Sequence, residues 1–308
     1  MSGEKPLAVT GGTGFVGQAL LDLTDERCLP VQALTRKPRA DEHVRTQWIT
    51  GDLDDVPALY RLMAGSRAVI HIAGLTNTPD PSEFHHANVT GTENVIAAMK
   101  HQGLKRLVFV SSLSAREPEL SQYGASKADA EELVRASGLD WTIVRPPAVY
   151  GPRDVDMFEL FRAAKLGIMP LPPSGATSII YVRDLARILL DLVDAQPALV
   201  RKKQFEVDDG REGGWSHKEL AKAIGAAMGN TVFSVHLPEA ALKAGATLDR
   251  LFRGKKAKLT ADRVGYMTHP NWVSSSALRV PEAVWQPEIS GEAGLKQTAE
   301  WYRKEGWL

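Results

Sequence analysis

Two residues four apart, Tyr123 and Lys127 in Tyr-Gly-Ala-Ser-Lys, form the pair in this sequence best suited to move a proton. On a helix, positions i and i+4 share a face, so the lysine ammonium can stand beside the phenol. A free tyrosine titrates at about pH 10 and is a poor acid or base at neutrality. A neighbouring cation, joined by the positive ring of an oxidised nicotinamide, favours the phenolate and brings that pKa toward the working range. Such a tyrosine protonates a carbonyl oxygen as hydride arrives, or deprotonates an alcohol as hydride leaves. Spacing alone does not establish this, since a buried Tyr and a solvated Lys often meet this way by chance. Just upstream, Leu107-Val-Phe-Val-Ser111-Ser112 ends an apolar run in two hydroxyls. A serine at a strand's C-terminal end can donate a hydrogen bond to a substrate oxygen. Ser112 is the preferred candidate, with Ser111 and Ser114 as runners-up.

A second constellation opens the chain. Leu7-Ala8-Val9-Thr10 gives way to glycines at Gly11, Gly14 and Gly17, and an amphipathic run follows from Phe15. This reads as strand, tight turn and helix. Gly11 permits the turn, Gly14 lets the backbone approach a pyrophosphate, and Gly17 removes a side chain where helix meets strand. The N–H groups and dipole at such a helix start favour a negative charge. Following a strand and opening a helix is the context that makes this a dinucleotide-binding turn.

The elements that must hold these residues alternate in type. Strands are expected at Leu7–Thr10, Val31–Thr35, Gln47–Thr50, Ala68–Ile72, Arg106–Ser111 and Trp141–Arg145. Helices are expected at Gly14–Leu23, Val56–Met63, Glu83–His101 and Ser121–Ser137. The alternation implies an α/β fold, a doubly wound parallel sheet of the Rossmann type covered on both faces. After Arg145 prolines crowd the chain, and Ser178–Val182 and Asp184–Val193 read as one more strand and helix of the first domain. Further helices are expected at Ser216–Met228, Pro238–Phe252 and Gly291–Lys304. The division this implies is a dinucleotide-binding domain at 1–145 plus about 176–200. A smaller mixed lobe for the substrate takes about 146–175 plus 201–308.

With 308 residues, 44% hydrophobic and 24% charged at zero formal net charge, the chain has the balance of a globular protein of one large or two packed domains. That balance gives no reason to propose nucleic acid as a partner. Cys28 is the only cysteine, which excludes an intrachain disulfide and a thiol metal cluster. No metal ligand is assigned. No apolar stretch has membrane-spanning length and no signal peptide precedes the first strand, so a cytoplasmic location is expected.

In this order the pieces resemble the short-chain dehydrogenase/reductase superfamily, in its extended and atypical branch of epimerase/dehydratase-like proteins. The resemblance covers nearly the whole chain. It implies that Gly11, Thr13, Gly14, Phe15 and Val16 belong to the cofactor turn. It makes Gly51-Asp52-Leu53 the adenine-binding turn, with Asp52 facing the adenine amino group. His71-Ile-Ala73-Gly74 becomes the strand end beside the cofactor ribose, and the Asn of Asn88-Val-Thr-Gly-Thr92 is mainly structural. Ser112, Tyr123 and Lys127 match the catalytic serine and the Tyr-Lys pair. Arg145-Pro146-Pro-Ala-Val149-Tyr-Gly-Pro152 resembles the segment against the nicotinamide. Tyr181-Val-Arg-Asp-Leu-Ala186 and Trp285-Gln-Pro…Trp301-Tyr302 also fit.

Two departures bear on substrate and cofactor. Only ten residues separate Ser112 from Tyr123, whereas sugar-nucleotide epimerases usually carry a longer loop that frames their substrate. Strand Val31–Thr35 is followed by Arg36 and Lys37, not by an acid that would bond a ribose 2′-hydroxyl. An acid would repel a 2′-phosphate, and these cations could pair with it, so NADP(H) is favoured with NAD(H) possible. Between Lys243 and Arg263 the cations Lys243, Arg250, Arg253, Lys255, Lys256, Lys258 and Arg263 face only Asp249 and Asp262. A helix and basic run of this kind is usually packed and solvated, but it can also rest on an anionic membrane surface. The short loop and this lobe resemble branch members related to a mitochondrial complex I accessory subunit and to bacterial ceramide-pathway reductases. The expectation is therefore an NADPH-dependent ketoreductase, acting on a lipid carbonyl such as 3-keto-sphinganine or an oxidised ceramide. The alternatives are a sugar-nucleotide epimerase or dehydratase holding NAD, and a non-catalytic NADP-binding subunit or redox sensor.

Overall fold

A computed structural model of the chain describes residues 4–39, 43–254, 257 and 259–308. Lys255, Lys256 and Lys258 of the basic run lie outside the described residues. Six strands come from the first half of the chain: β1 (Leu7–Thr10), β2 (Val31–Thr35), β3 (Thr46–Thr50), β4 (Ala68–His71), β5 (Arg106–Val110) and β6 (Asp140–Arg145). They lie in the order β6-β5-β4-β1-β2-β3, every pairing parallel. Strands covered on both faces carry near-continuous apolar runs. Every residue of β1, β4 and β5 is accordingly buried.

Two cores sandwich the sheet. On one face Leu20, Leu21 and Leu23 of helix Phe15–Glu26 meet Leu185, Ile188, Leu189 and Leu192 of helix Val182–Asp194. The other face is filled by Leu59, Leu62, Val95, Met99, Ala130 and Val134, from helices Val56–Met63, Gly91–His101 and Gln122–Ala136. A third cluster, built around Tyr150, Phe161, Met169, Trp215, Ile224, Leu295 and Tyr302, forms beyond the sheet.

Three features depart from the expected elements. The strand Lys203–Glu206, placed by the sequence reading in the smaller lobe, pairs in parallel with β6 and completes a seven-stranded sheet. Phe205 and Val207 enter the first core, and Arg145 and Arg116 face the buried Glu206 carboxylate at 3.7 and 3.5 Å. Secondly, Ile179–Tyr181 does not extend the large sheet. It pairs with Ala148–Tyr150 in a separate two-stranded sheet. Thirdly, the helix expected over Glu83–His101 widens into a π-helical turn at His85–Thr90 before regular helix resumes at Gly91. Gly91 is pressed there against Leu53, where a Cβ would meet Leu53 Cδ1 at 2.6 Å.

The glycine turn is held by contact. Gly11 has φ +77°, and a Cβ on Gly17 would lie 2.1 Å from the Gly11 carbonyl oxygen. Backbone cannot move aside as a flexible side chain would. Gly17→Ala is expected to destabilise the protein by roughly 1–3 kcal/mol and to lower its melting temperature by several degrees, read by thermal denaturation. An unchanged melting temperature would mean that helix and strand can separate at this point.

Candidate active site

The C-terminal ends of β1, β4 and β5 open into one cleft of about 1340 Å³, the edge at which open α/β sheets bind ligands. At its floor, helix Phe15–Glu26 begins with Gly14 as N-cap, with no side-chain acceptor and no acid in its first turn. A helix start leaves donors unsatisfied, and here they are left for a ligand. A Cβ on Gly14 would meet only the Gly11 carbonyl oxygen at 3.4 Å. The turn therefore leaves room and donors for a pyrophosphate and fits the dinucleotide expected there.

Gly11, Thr13, Gly14, Phe15, Val16, Arg36, Asp52, Leu53, Ala73, Gly74, Pro146 and Val149 all line the cleft. Lys37 does not. Its side chain is exposed, and the turn is pinned by the Thr35 hydroxyl donating to the Lys37 carbonyl at 2.7 Å. Asp52 Oδ1 accepts the N–H groups of Asp54 and Asp55 at 3.0 and 3.1 Å, which fixes the carboxylate in its turn. Asn88 accepts the Leu75 N–H at 2.7 Å and donates to the Leu75 carbonyl and Ser126 Oγ. Its bonds are thus internal and hold the loop after β4. His71, fully buried, is bonded to Thr10 at 2.5 Å and Thr92 at 3.1 Å. Burial, with Lys127 nearby, holds it down at about 3, so it stays neutral.

The three serines are separated by their partners. Ser111 Oγ donates to Glu131 Oε1 at 2.5 Å and is committed beneath the cleft. Ser112 is half-buried; its Oγ accepts the Ser114 N–H at 3.1 Å, capping the short turn Leu113–Arg116, and lies 3.2 Å from Ser114 Oγ. Ser112 also bonds the Tyr123 phenol. Ser112, Tyr123 and Lys127 all line the cleft.

Lys127 takes an acceptor that the helical spacing does not reveal. Its Nζ donates to the Val110 carbonyl at 2.8 Å and stands 4.7 Å from the centre of the Phe109 ring. Burial pushes the ammonium down to about 8, with Glu131 opposing. The phenol instead feels burial, which pushes it up to about 12, and the Ser112 hydrogen bond and the Arg263 charge pull it back only in part. Tyr123 therefore stands protonated at neutral pH, ready to donate.

Sequence reasoning missed the contribution of helix Ala261–Met267. Asp262 accepts the backbone N–H groups of Gln122 and Tyr123, at 2.5 and 3.4 Å, where the Tyr123 helix begins. Tyr266 lies with its ring centre 6.2 Å from that of Tyr123. Arg263 Nη1 donates to Asp156 Oδ1 at 3.1 Å, and its guanidinium also bonds the Tyr266 hydroxyl. Gly265 allows the approach, since a Cβ there would meet the Leu120 carbonyl at 2.2 Å. These partners are far apart in sequence, and the only local signal was a basic run in which Arg263 was one charge among several.

A parallel sheet, a capless glycine turn and a Ser-Tyr-Lys set define a dinucleotide-binding oxidoreductase or epimerase architecture. The comparisons agree: a family profile described as NAD(P)H-binding matches residues 11–194. The chain is 33% identical to the ceramide reductase of Caulobacter vibrioides, over 98% of this chain and 96% of that one. It is 30% identical to the 2-alkyl-3-oxoalkanoate reductase of Stenotrophomonas maltophilia, over 94% and 97%. The fold superposes on UDP-glucose 4-epimerase of Thermus thermophilus in complex with NAD, with TM-score 0.72 and 21% identity over 97% and 99% of the chains. The chain belongs to the NAD(P)H-binding family of extended short-chain dehydrogenase/reductase-like enzymes.

The raised phenol has a direct signature. In the cofactor-free protein, ultraviolet titration of wild type minus Tyr123→Phe is expected to show no tyrosinate from this residue below about pH 10. A tyrosinate that appears near neutrality would mean that burial does not dominate at Tyr123.

Proposed function

We propose that the enzyme is an NADPH-dependent ketoreductase for a carbonyl substrate that carries an acyl chain. The observation that carries this reading is the far end of the cleft. Besides the nucleotide-side residues, the cleft is lined by Met157, Leu160, Met169, Leu171, Leu220 and Ile224, and its polar residues there, Asp154, Asp156, Glu159 and His217, include three acids that would repel a diphosphate. The two arginines on that side each have a carboxylate partner, Arg253 with Asp249 at 3.3 Å and Arg263 with Asp156 at 3.1 Å. A sugar nucleotide would ask for cations facing its diphosphate, and an apolar chain asks for these walls. The two relatives named as reductases, one of a ceramide, support the same reading.

In this mechanism Gly11, Gly14 and the start of the following helix would hold the pyrophosphate, Arg36 would pair with the 2′-phosphate, and Asp52 would meet the adenine amino group. When bound, NADPH supplies the hydride that reduces the carbonyl carbon. Ser112 donates a hydrogen bond to the carbonyl oxygen, and Tyr123 gives up its phenolic proton to that oxygen, leaving a secondary alcohol. Lys127 fixes the helix against the Val110 carbonyl and brings positive charge beside the Ala73-Gly74 strand end. A cofactor-bound lysine and oxidised ring would lower the tyrosine's pKa for the reverse reaction.

Substrate-dependent NADPH oxidation with long-chain 3-keto amines and amides tests the reading, run beside UDP-sugars whose conversion is followed by product analysis, since epimerisation consumes no NADPH. Turnover of the keto lipids alone supports it, and turnover of a UDP-sugar alone overturns it. Tyr123→Phe is expected to lose about a hundred- to ten-thousand-fold in turnover with NADPH affinity nearly unchanged. Ser112→Ala should lower turnover with no more than the modest stability loss of a missing cap, whereas Ser111→Ala should mainly lower the melting temperature. A separate titration addresses the cofactor. Arg36→Ala is expected to weaken NADPH binding far more than NADH binding, with Lys37→Ala changing either one little. Equal losses for both cofactors on Arg36→Ala would remove the 2′-phosphate assignment.

A further inference from the structure

Helix Glu239–Arg253 has two apolar faces. The inner one carries Leu242 and Ala246, both buried, and continues through Asp249 and Arg253, which line the cleft. These four recur at i, i+4, i+7 and i+11, a single stripe of the helix. Ala241, Ala244, Leu248, Leu251 and Phe252 fall at i, i+3, i+7, i+10 and i+11, which is a second stripe on the opposite side. All five are exposed. Leu248 is 54%, Leu251 76% and Phe252 82% exposed. A packed surface helix has one apolar face and one polar face, so the outer stripe has no role in the fold itself.

Charge identifies what the stripe is suited to meet. The flank between the two stripes carries the exposed Arg250 and Lys243, the latter paired with Glu239 at 2.6 Å. The stretch from Lys243 to Arg263 has seven Lys and Arg against two Asp, in a chain of zero net charge. An apolar stripe edged by cations is the pattern of a helix that lies in the plane of a membrane interface. We propose that this helix docks the enzyme on an anionic lipid surface, inserting Leu248, Leu251 and Phe252 among the acyl chains. The inner stripe of the same helix lines the cleft through Asp249 and Arg253, so docking would bring the cleft close to the lipid. That purpose rests on the acyl-substrate reading, but the docking itself does not.

The test uses the full chain and vesicles, with no turnover required. Wild type should co-sediment with phosphatidylcholine–phosphatidylglycerol vesicles at low salt, and bind weakly to phosphatidylcholine alone and at high salt. The double variant Leu251→Ser, Phe252→Ser should bind those anionic vesicles roughly tenfold or more weakly, with unchanged melting temperature and NADPH affinity. Its two positions are exposed, so loss of folding is not the expected cause of any change. No vesicle binding by wild type, equal binding to phosphatidylcholine alone, or undiminished binding by the double variant overturns the proposal. So does a wild type that sediments as a dimer while the double variant is a monomer, which would make the stripe a contact between two copies. Failure of the keto-lipid assay with vesicle binding intact would count against the substrate reading and leave the docking standing.

Discussion

A carboxylate with no exposure to water, Glu131, holds the floor of the site together. A buried charge is costly unless every acceptor site is satisfied. Here Arg145 donates to both oxygens at 2.7 Å, Arg135 adds a bond of 2.7 Å, and the Ser111 hydroxyl one of 2.5 Å. Those partners come from the helix itself, from the end of β6 and from the turn after β5. Arg145 then faces Glu206, which Arg116 also approaches, and Arg116 donates to the carbonyls of Val273 and Asn271. Charges of alternating sign thus run from the Tyr123 helix to the segment at Asn271 and Val273. With Ser111 drawn down to Glu131, the adjacent Ser112 is the hydroxyl left beside Tyr123.

The acidity of Tyr123 is set by both lobes. From the sheet side come burial and Ser112. From the other side come Arg263 and Tyr266, while Asp262 grips the backbone at the start of the tyrosine's helix. Lys127, the textually obvious partner, acts one step removed, through the Val110 carbonyl and the aromatic ring beneath it.

Local signals were legible and distant ones were not. Strands β1 to β6, the glycine turn and the Ser-Tyr-Lys order could be read because each depends on neighbours within a few residues. Lys203–Glu206 is short and half-polar, and what makes it a sheet strand is distant in sequence: the free edge of β6, the core that takes Phe205, and the arginines facing Glu206. The π-helical turn is followed at Gly91 by a close approach of Leu53, a contact between segments no periodicity links. The Val110 carbonyl as acceptor for Lys127 Nζ was not legible, because i, i+4 spacing says which residues share a face and not which acceptor lies near. Arg263, Tyr266 and Asp262 reach the site from the opposite lobe, so no pattern around Tyr123 announces them.

The late strand also bears on how the chain comes together. Between β6 and Lys203–Glu206 the backbone leaves the sheet, builds part of the second lobe and returns. Until that return, β6 is an open edge, and Arg145 has Glu131 but lacks Glu206. Val280 and Trp285 close the first core from further still along the chain. Contacts of such long sequence separation form slowly, and an unpaired edge is a site of misassociation while they form. During synthesis, therefore, the nucleotide half can be wound before its outermost strand exists, and the sheet becomes a closed unit only after much of the other lobe has emerged.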